Sequence, residues 1–317
     1  MFDCGSVNKE AFSTHQVCFV THGHIDHIGA IIPYARAKSL SYGSTIVYVP
    51  ADVVSPLMAA KDAYDFMGNE SISLEIRSIS PGDPPVRISD RISVIAFPTL
   101  HRVPSQGYGV VVTYKGAVKD EYASSTAQDF KEMRQNGIDF RHPDREICEV
   151  VYTGDTVFKA LLPPELNFIF EAELLIMECT YVDGPQEKAK EYSHIHVGDI
   201  VDSVDRFRNK QLFIVHVSQK YRADYIIQSL RSTLPRPLVA ITAVNLKLHG
   251  YREYLTPLSD ESHAKRLREE PGWGWGGGKT SYGGDRRGRG KGRSAFSSGR
   301  GRGNNLSEFT SKSAGGY

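Results

Sequence analysis

No stretch of this 317-residue chain approaches the ~20 consecutive apolar residues that a membrane-crossing helix needs, so no membrane partner is expected. The opening also lacks the basic, apolar and small-residue succession of a secretory signal. Cysteine is scarce. Cys4, Cys18, Cys148 and Cys179 are far apart, with no CxxC pair, which argues against a disulfide framework and for free thiols in a reducing, intracellular compartment. None of the four sits in a nucleophile context, and no internal repeat is evident in the part that reads as folded.

What is present is an ordinary globular composition, 40% hydrophobic and 24% charged, sufficient to build a core. Charge is unevenly placed. The overall +1 divides into +7 over residues 271–317, where nine basic residues face only Asp285 and Glu308, and −6 over the first 270 residues. An acidic body carrying a basic tail is the expected form.

From Val17 to about Leu248, short β-rich runs alternate with helical patterns. Residues 17–21, 44–49, 92–97, 108–113, 149–153, 174–177, 211–215 and 238–242 read as strands. Residues 27–37, 56–66, 127–136, 197–207 and 223–234 place apolar side chains at three- and four-residue spacing and read as helices. The interleaving predicts a layered α/β architecture. Beyond about His263, glycine, arginine and serine dominate, leaving too little apolar surface to offset the entropy of ordering the chain. The expected organisation is a folded domain over 1–262 and a disordered Gly/Arg-rich tail over 263–317.

The chemistry concentrates in Thr21-His-Gly-His-Ile-Asp-His27, directly after an apolar strand. Imidazole and carboxylate are the ligands zinc accepts in hydrolytic sites. His22 and His24 are two residues apart, which in extended backbone sets both on one side. Asp26 and His27 follow as the chain turns into a helix. Four candidate ligands within six residues exceed what one tetrahedral ion with an open position can use, so two metals are implied.

This HxHxDH segment resembles the signature of the metallo-β-lactamase superfamily. That resemblance implies an αββα sandwich, with further ligands in short loops after later strands. His101 ends Phe97-Pro-Thr-Leu-His101, Asp155 lies in Thr153-Gly-Asp-Thr156, and His216 follows Gln211-Leu-Phe-Ile-Val215. The resemblance assigns His22, His24 and His101 to one Zn²⁺ and Asp26, His27 and His216 to a second, with Asp155 bridging. Two zinc ions per subunit follow.

Further segments resemble the tRNase Z family. They are Met177-Glu-Cys-Thr180, His194-Ile-His196, Val215-His-Val-Ser-Gln-Lys-Tyr221, and Phe97-Pro-Thr-Leu-His101 followed by Gln106-Gly-Tyr108, and the likeness runs from Phe2 to about Thr242. It implies an endoribonuclease that removes the 3′ trailer from precursor tRNA, acting as a homodimer. Asp26 then orients the attacking hydroxide, and His194, oriented by Glu178, is the general acid. His196 is assigned no chemistry. Met1-Phe-Asp-Cys-Gly5 resembles a strand end that relatives reach only after two or more opening strands, so a sandwich lacking those strands is expected.

Lys220 and the tail residues Arg286, Arg287, Arg289, Lys291, Arg293, Arg300 and Arg302 are the candidate RNA contacts, since mobile cations neutralise phosphates. Trp273, Trp275, Tyr282 and Phe296 offer stacking faces. Two alternatives stay open on these residues. One is a small-ester or cyclic-phosphodiester hydrolase using the same metals, and the other is a catalytically idle RNA-binding subunit.

Overall fold

Cys18 and Val20 leave the first strand on one side and Phe19 on the other, and all three are buried. A strand buried on both faces needs a layer on each side, and the chain supplies them. A computed structural model of the protein describes residues 1–6, 17–40, 43–246 and 251–255. The expected tail, with Arg286, Arg287, Arg289, Lys291, Arg293, Arg300 and Arg302, lies outside these residues.

The order begins β1 (Val17–Phe19), α1 (Ile25–Ile28), α2 (Ile31–Ser39), β2 (Thr45–Val49), α3 (Ala51–Gly68) and β3 (Leu74–Ser78). It continues with β4 (Val86–Arg87), β5 (Ile92–Pro98), β6 (Gln106–Tyr114), α4 (Ala127–Gln135), β7 (Arg145–Tyr152), α5 (Phe168–Glu171) and β8 (Leu174–Glu178). Then come α6 (Gln186–Glu191), α7 (Val197–Asp202), β9 (Gln211–Val215), α8 (Ala223–Thr233), α9 (Arg236–Ile241), β10 (Thr242–Leu246) and β11 (Tyr251–Tyr254).

Strands β1, β2 and β3 form a parallel three-stranded sheet. The other eight form a mixed sheet in the order β11-β10-β9-β8-β7-β6-β5-β4. Cys18, Val20, Val47 and Val49 pack with Ile31, Ile32, Tyr34 and Leu57 as the helix side of the small sheet. The alternate residues Phe19 and Tyr48 meet Val94 and Tyr108 between the two sheets. The far face of the large sheet buries Leu175, Met177, Leu212 and Ile214 against Ile169, Ile200 and Ile226. Helix, sheet, sheet and helix layers make the αββα sandwich.

In the small sheet β1 is the edge strand, and the N-terminus lies alongside it. Phe2 forms a parallel bridge with Phe19, and Asp3 N–H donates to the Phe19 carbonyl at 2.9 Å.

The strand expected at 238–242 is instead helix α9, with β10 starting where that strand was to end. Pro235 and Pro237 preset helical φ at the start of this segment, and a short apolar run fits either state until packing decides. The helix expected at 27–37 is broken at Gly29–Ala30, where Ala30 N–H donates to Cys4 O at 2.8 Å. The one expected at 197–207 ends at Asp202 and continues as a 3₁₀ turn. Helix α3 begins at Ala51, before the expected 56. Among the described residues, no helix is long and apolar enough to cross a membrane.

Candidate metal centre

Strands β7, β8 and β9 run parallel, and β5 runs the same way because two antiparallel steps through β6 separate it from β7. Their C-terminal ends therefore share one edge. His101 follows β5, Asp155 follows β7, Glu178 ends β8 and His216 follows β9. The loop from β1 into α1 carries His22, His24, Asp26 and His27, and His22 is bridged to Ser105 across the layers. Gly5 and Gly154 allow the close approach. A Cβ on Gly5 would lie 1.7 Å from the Asp26 carbonyl oxygen, and one on Gly154, which has φ +60°, would lie 2.7 Å from the Thr21 side chain.

Donor atoms of His22, His24, His101 and Asp155 lie within 4.8 Å of one another, as do those of Asp26, His27 and His216. His22 Nε2 is 3.0 Å from His24 Nδ1, which is 3.2 Å from His101 Nε2. Asp155 reaches both groups, with Oδ1 3.4 Å from His27 Nε2 and Oδ2 3.2 Å from His216 Nε2. His216 Nε2 is also 3.2 Å from Asp26 Oδ2.

The outer nitrogens explain why the inner ones are bare. His27 Nδ1 donates to Asp3 Oδ2 at 2.7 Å. Thr21 donates its hydroxyl proton to the same carboxylate and accepts from His22 Nδ1 at 2.9 Å. His101 Nδ1 donates to the Ser193 carbonyl at 2.9 Å. Thr180 donates to Glu178 at 2.7 Å and accepts from His216 Nδ1 at 3.0 Å. A neutral imidazole has one proton, so each of these rings turns a lone pair toward the centre.

Burial holds the His22 imidazolium down, to about 3, and favours the neutral ring. Burial also disfavours charge on His27, yet the carboxylates of Asp155 and Asp3 push it up to about 10. Its Nε2 is buried without a hydrogen-bond partner. The carboxylates of Asp155 and Asp26, 3.4 and 3.7 Å from this bare nitrogen, make a place for positive charge. Bonding to His216 holds Asp26 well below the usual carboxylate range. Burial opposes charge on Asp155, but the imidazoles of His27, His216 and His22 around it keep it low as well. Convergent nitrogen and oxygen donors, an orphaned buried ring nitrogen and retained carboxylates fit divalent metal binding.

A family model described as "Beta-lactamase superfamily domain" matches residues 5–217, well over half of the chain. The chain belongs to the beta-lactamase superfamily. Its fold is that of the metallo-β-lactamases, as in the metallo-beta-lactamase fold protein YhfI from Bacillus subtilis. That structure superposes with a TM-score of 0.51 at 17% identity, over 80% of this chain and 85% of that one. Among superfamily relatives, tRNase Z TRZ1 of Arabidopsis thaliana is 29% identical over 75% of this chain and 84% of its own length. The chloroplastic tRNase Z TRZ2 of the same plant is 25% identical over 76% of this chain and 69% of its own.

Beside the clustered donors stands Glu178, fully buried. Its oxygens accept from the backbone N–H groups of Thr156, Thr180 and Ile195, from the Thr180 hydroxyl, and from His194 Nδ1 at 2.9 Å. With Nδ1 so committed, Nε2 is the nitrogen of His194 left for chemistry. Burial pulls the His194 ring down, but Glu178 outweighs it and raises it. His194 also lies within 4.8 Å of donor atoms of Asp155 and His216, so it belongs to the cluster.

His196 caps α7, its Nδ1 accepting from Gly198 N–H at 2.9 Å. Lys220 is exposed, its ammonium 4.9 Å from the Tyr181 ring centroid and 4.4 Å from that of Tyr221. Asp3, Thr21, Thr180 and Ser193 were not predicted as site residues. Asp3, Ser193 and His216 have φ of 50°, 59° and 56°, a left-handed conformation costly for non-glycine residues and concentrated here at the site.

Proposed function

We propose that this chain is a dinuclear zinc endoribonuclease that removes the 3′ trailer from precursor tRNA. The observation that carries this reading is the His194–Glu178 pair set against two groups of metal donors that Asp155 joins. The likeness to tRNase Z TRZ1 and TRZ2 over most of their length supports the substrate.

His22, His24 and His101 would hold one ion and Asp26, His27 and His216 the other, with Asp155 between them. When bound, such ions neutralise phosphate oxygens and lower the pKa of water. Asp26, half exposed and kept as a carboxylate by His216, accepts a hydrogen bond from the attacking water and orients it. Hydrolysis breaks the bond between phosphorus and the 3′ oxygen, leaving a 3′-hydroxyl on the tRNA and a phosphate on the trailer. His194 delivers its Nε2 proton to the departing oxygen while Nδ1 stays bonded to Glu178, whose charge stabilises the ring through the transfer.

Lys220 and the cations of the basic segment, Arg286, Arg287, Arg289, Lys291, Arg293, Arg300 and Arg302, supply phosphate contacts to a protein whose body is acidic. The homodimer is assigned to the outer face of α3. There Ala59, Ala63, Phe66 and Met67 share one exposed stripe, Phe66 being 88% exposed. The described cysteines are free, as in a reducing intracellular compartment.

Zinc-loaded protein is expected to cleave precursor tRNA at the 3′ end of the mature sequence. Hydrolysis of bis-(p-nitrophenyl) phosphate with the precursor left intact would replace this reading with a small-diester hydrolase. Failure to retain metal in zinc-containing buffer would replace it with an idle subunit.

A further inference from the structure

Arg102 directly follows His101, and Tyr192 lies two residues before His194. The bond from His101 to the Ser193 carbonyl ties these two loops together. Outside that tie, the Arg102 guanidinium carbon lies 5.9 Å from the Tyr192 ring centroid. Both side chains are exposed, Tyr192 keeping 39% of its surface. Among the described residues, Arg102 has no ion pair or hydrogen bond, and its charge acts on His24, His194 and Tyr181. A cleft of about 410 Å³, lined by His101, Arg102, Thr99, Ser105 and Asp52, opens beside it.

A free guanidinium at the rim of a cluster of histidines and carboxylates, on an acidic body, is placed for an anion entering from solvent. The planar fork of arginine matches a phosphate in two-point contact. An exposed tyrosine ring presents a face on which any base can stack. Phosphate followed by base is the repeat of a polynucleotide, and the pair is already held in place by the His101–Ser193 tie.

We propose that Arg102 and Tyr192 form a nucleotide subsite at the rim of the metal centre. Arg102 pairs with the phosphate flanking the scissile one. Tyr192 stacks the base of the nucleotide whose 3′ oxygen departs, because that oxygen is the one His194 protonates two residues away. The assignment rests on the endoribonuclease reading.

The test uses zinc-loaded full-length protein and the variants Arg102→Ala, Arg102→Lys, Tyr192→Ala and Tyr192→Phe. Arg102→Ala and Tyr192→Ala should lower kcat/KM on precursor tRNA roughly tenfold or more, mostly through KM, the scale of one lost stack or phosphate contact. Their loss on bis-(p-nitrophenyl) phosphate, which has no flanking nucleotide, should be at least about fivefold smaller. Tyr192→Phe keeps the ring and should stay near wild type, and Arg102→Lys should fall between. Equal losses on both substrates, or Tyr192→Phe as impaired as Tyr192→Ala, would overturn the subsite. Fluorescence anisotropy with a short RNA ending in a 3′-hydroxyl separates this from the parent reading. Weaker binding by Tyr192→Ala upholds the subsite even if precursor tRNA is not cleaved. Equal binding by all forms, or none by the wild type, overturns it even if precursor tRNA is cleaved.

Discussion

His27 Nδ1 donates to Asp3 Oδ2 over 2.7 Å, joining the third residue of the chain to the end of the histidine motif. The same carboxylate accepts from Tyr152 OH at 2.7 Å and Thr21 N–H at 2.8 Å, so through Thr21 it also governs His22. Asp3→Ala should therefore weaken metal affinity on the order of 10–100-fold, the usual effect of removing a partner that orients a ligand. Competition with a chromogenic chelator measures it. Unchanged affinity in a folded variant would remove Asp3 from this role.

His194→Ala should keep near-normal metal content and slow cleavage on the order of 10²-fold or more, as loss of a general acid does. Glu178→Gln should behave differently. Its amide would bring N–H groups against donors already aimed at that buried oxygen pair, so the melting temperature should fall as well as the rate. Full turnover by the His194 variant would end its assignment as the acid.

Chelation should destabilise the fold, since ions bound to the native state alone contribute RT ln(1 + [L]/Kd). At a thousandfold excess over Kd this is about 4 kcal/mol, or roughly 8–16 °C in Tm for a domain of this size. A scanning calorimetry trace unmoved by chelator would mean that the clustered donors hold no cation.

Removing residues 271–317 deletes a net charge of +7. RNA affinity should drop most at low ionic strength, with a flatter dependence of log affinity on log salt. Hydrolysis of a small diester should be retained. Equal RNA binding by both forms across a salt series would leave the tail without this role.

Phe66→Glu combined with Met67→Glu places charge in the exposed apolar stripe of α3 and should convert a dimer to monomers in sedimentation velocity. A monomeric wild type would refute the proposed interface.

Much of the layered fold is legible because its signals are local. The short β-branched and aromatic runs Val17–Phe19 and Gln211–Val215 mark strands at any position in the chain. The run 238–242 misleads because a short apolar segment carries no decisive period, and only its prolines and its packing at Leu238 make it helical. His101, Asp155 and His216 can be picked out through the superfamily resemblance, which implies ligands just after later strands. Asp3, Thr180 and Ser193 cannot, since an aspartate, a threonine and a backbone carbonyl are everywhere in a sequence.

Residue type and order pointed to the donor chemistry, because imidazole and carboxylate are the donors such cations accept. The fold alone decided which nitrogen of each ring looks inward. That depends on an acceptor 2.7–3.0 Å from the other nitrogen; Thr21 adjoins His22 in sequence, but the fold brings Asp3, Thr180 and the Ser193 carbonyl to those places from distant parts of the chain.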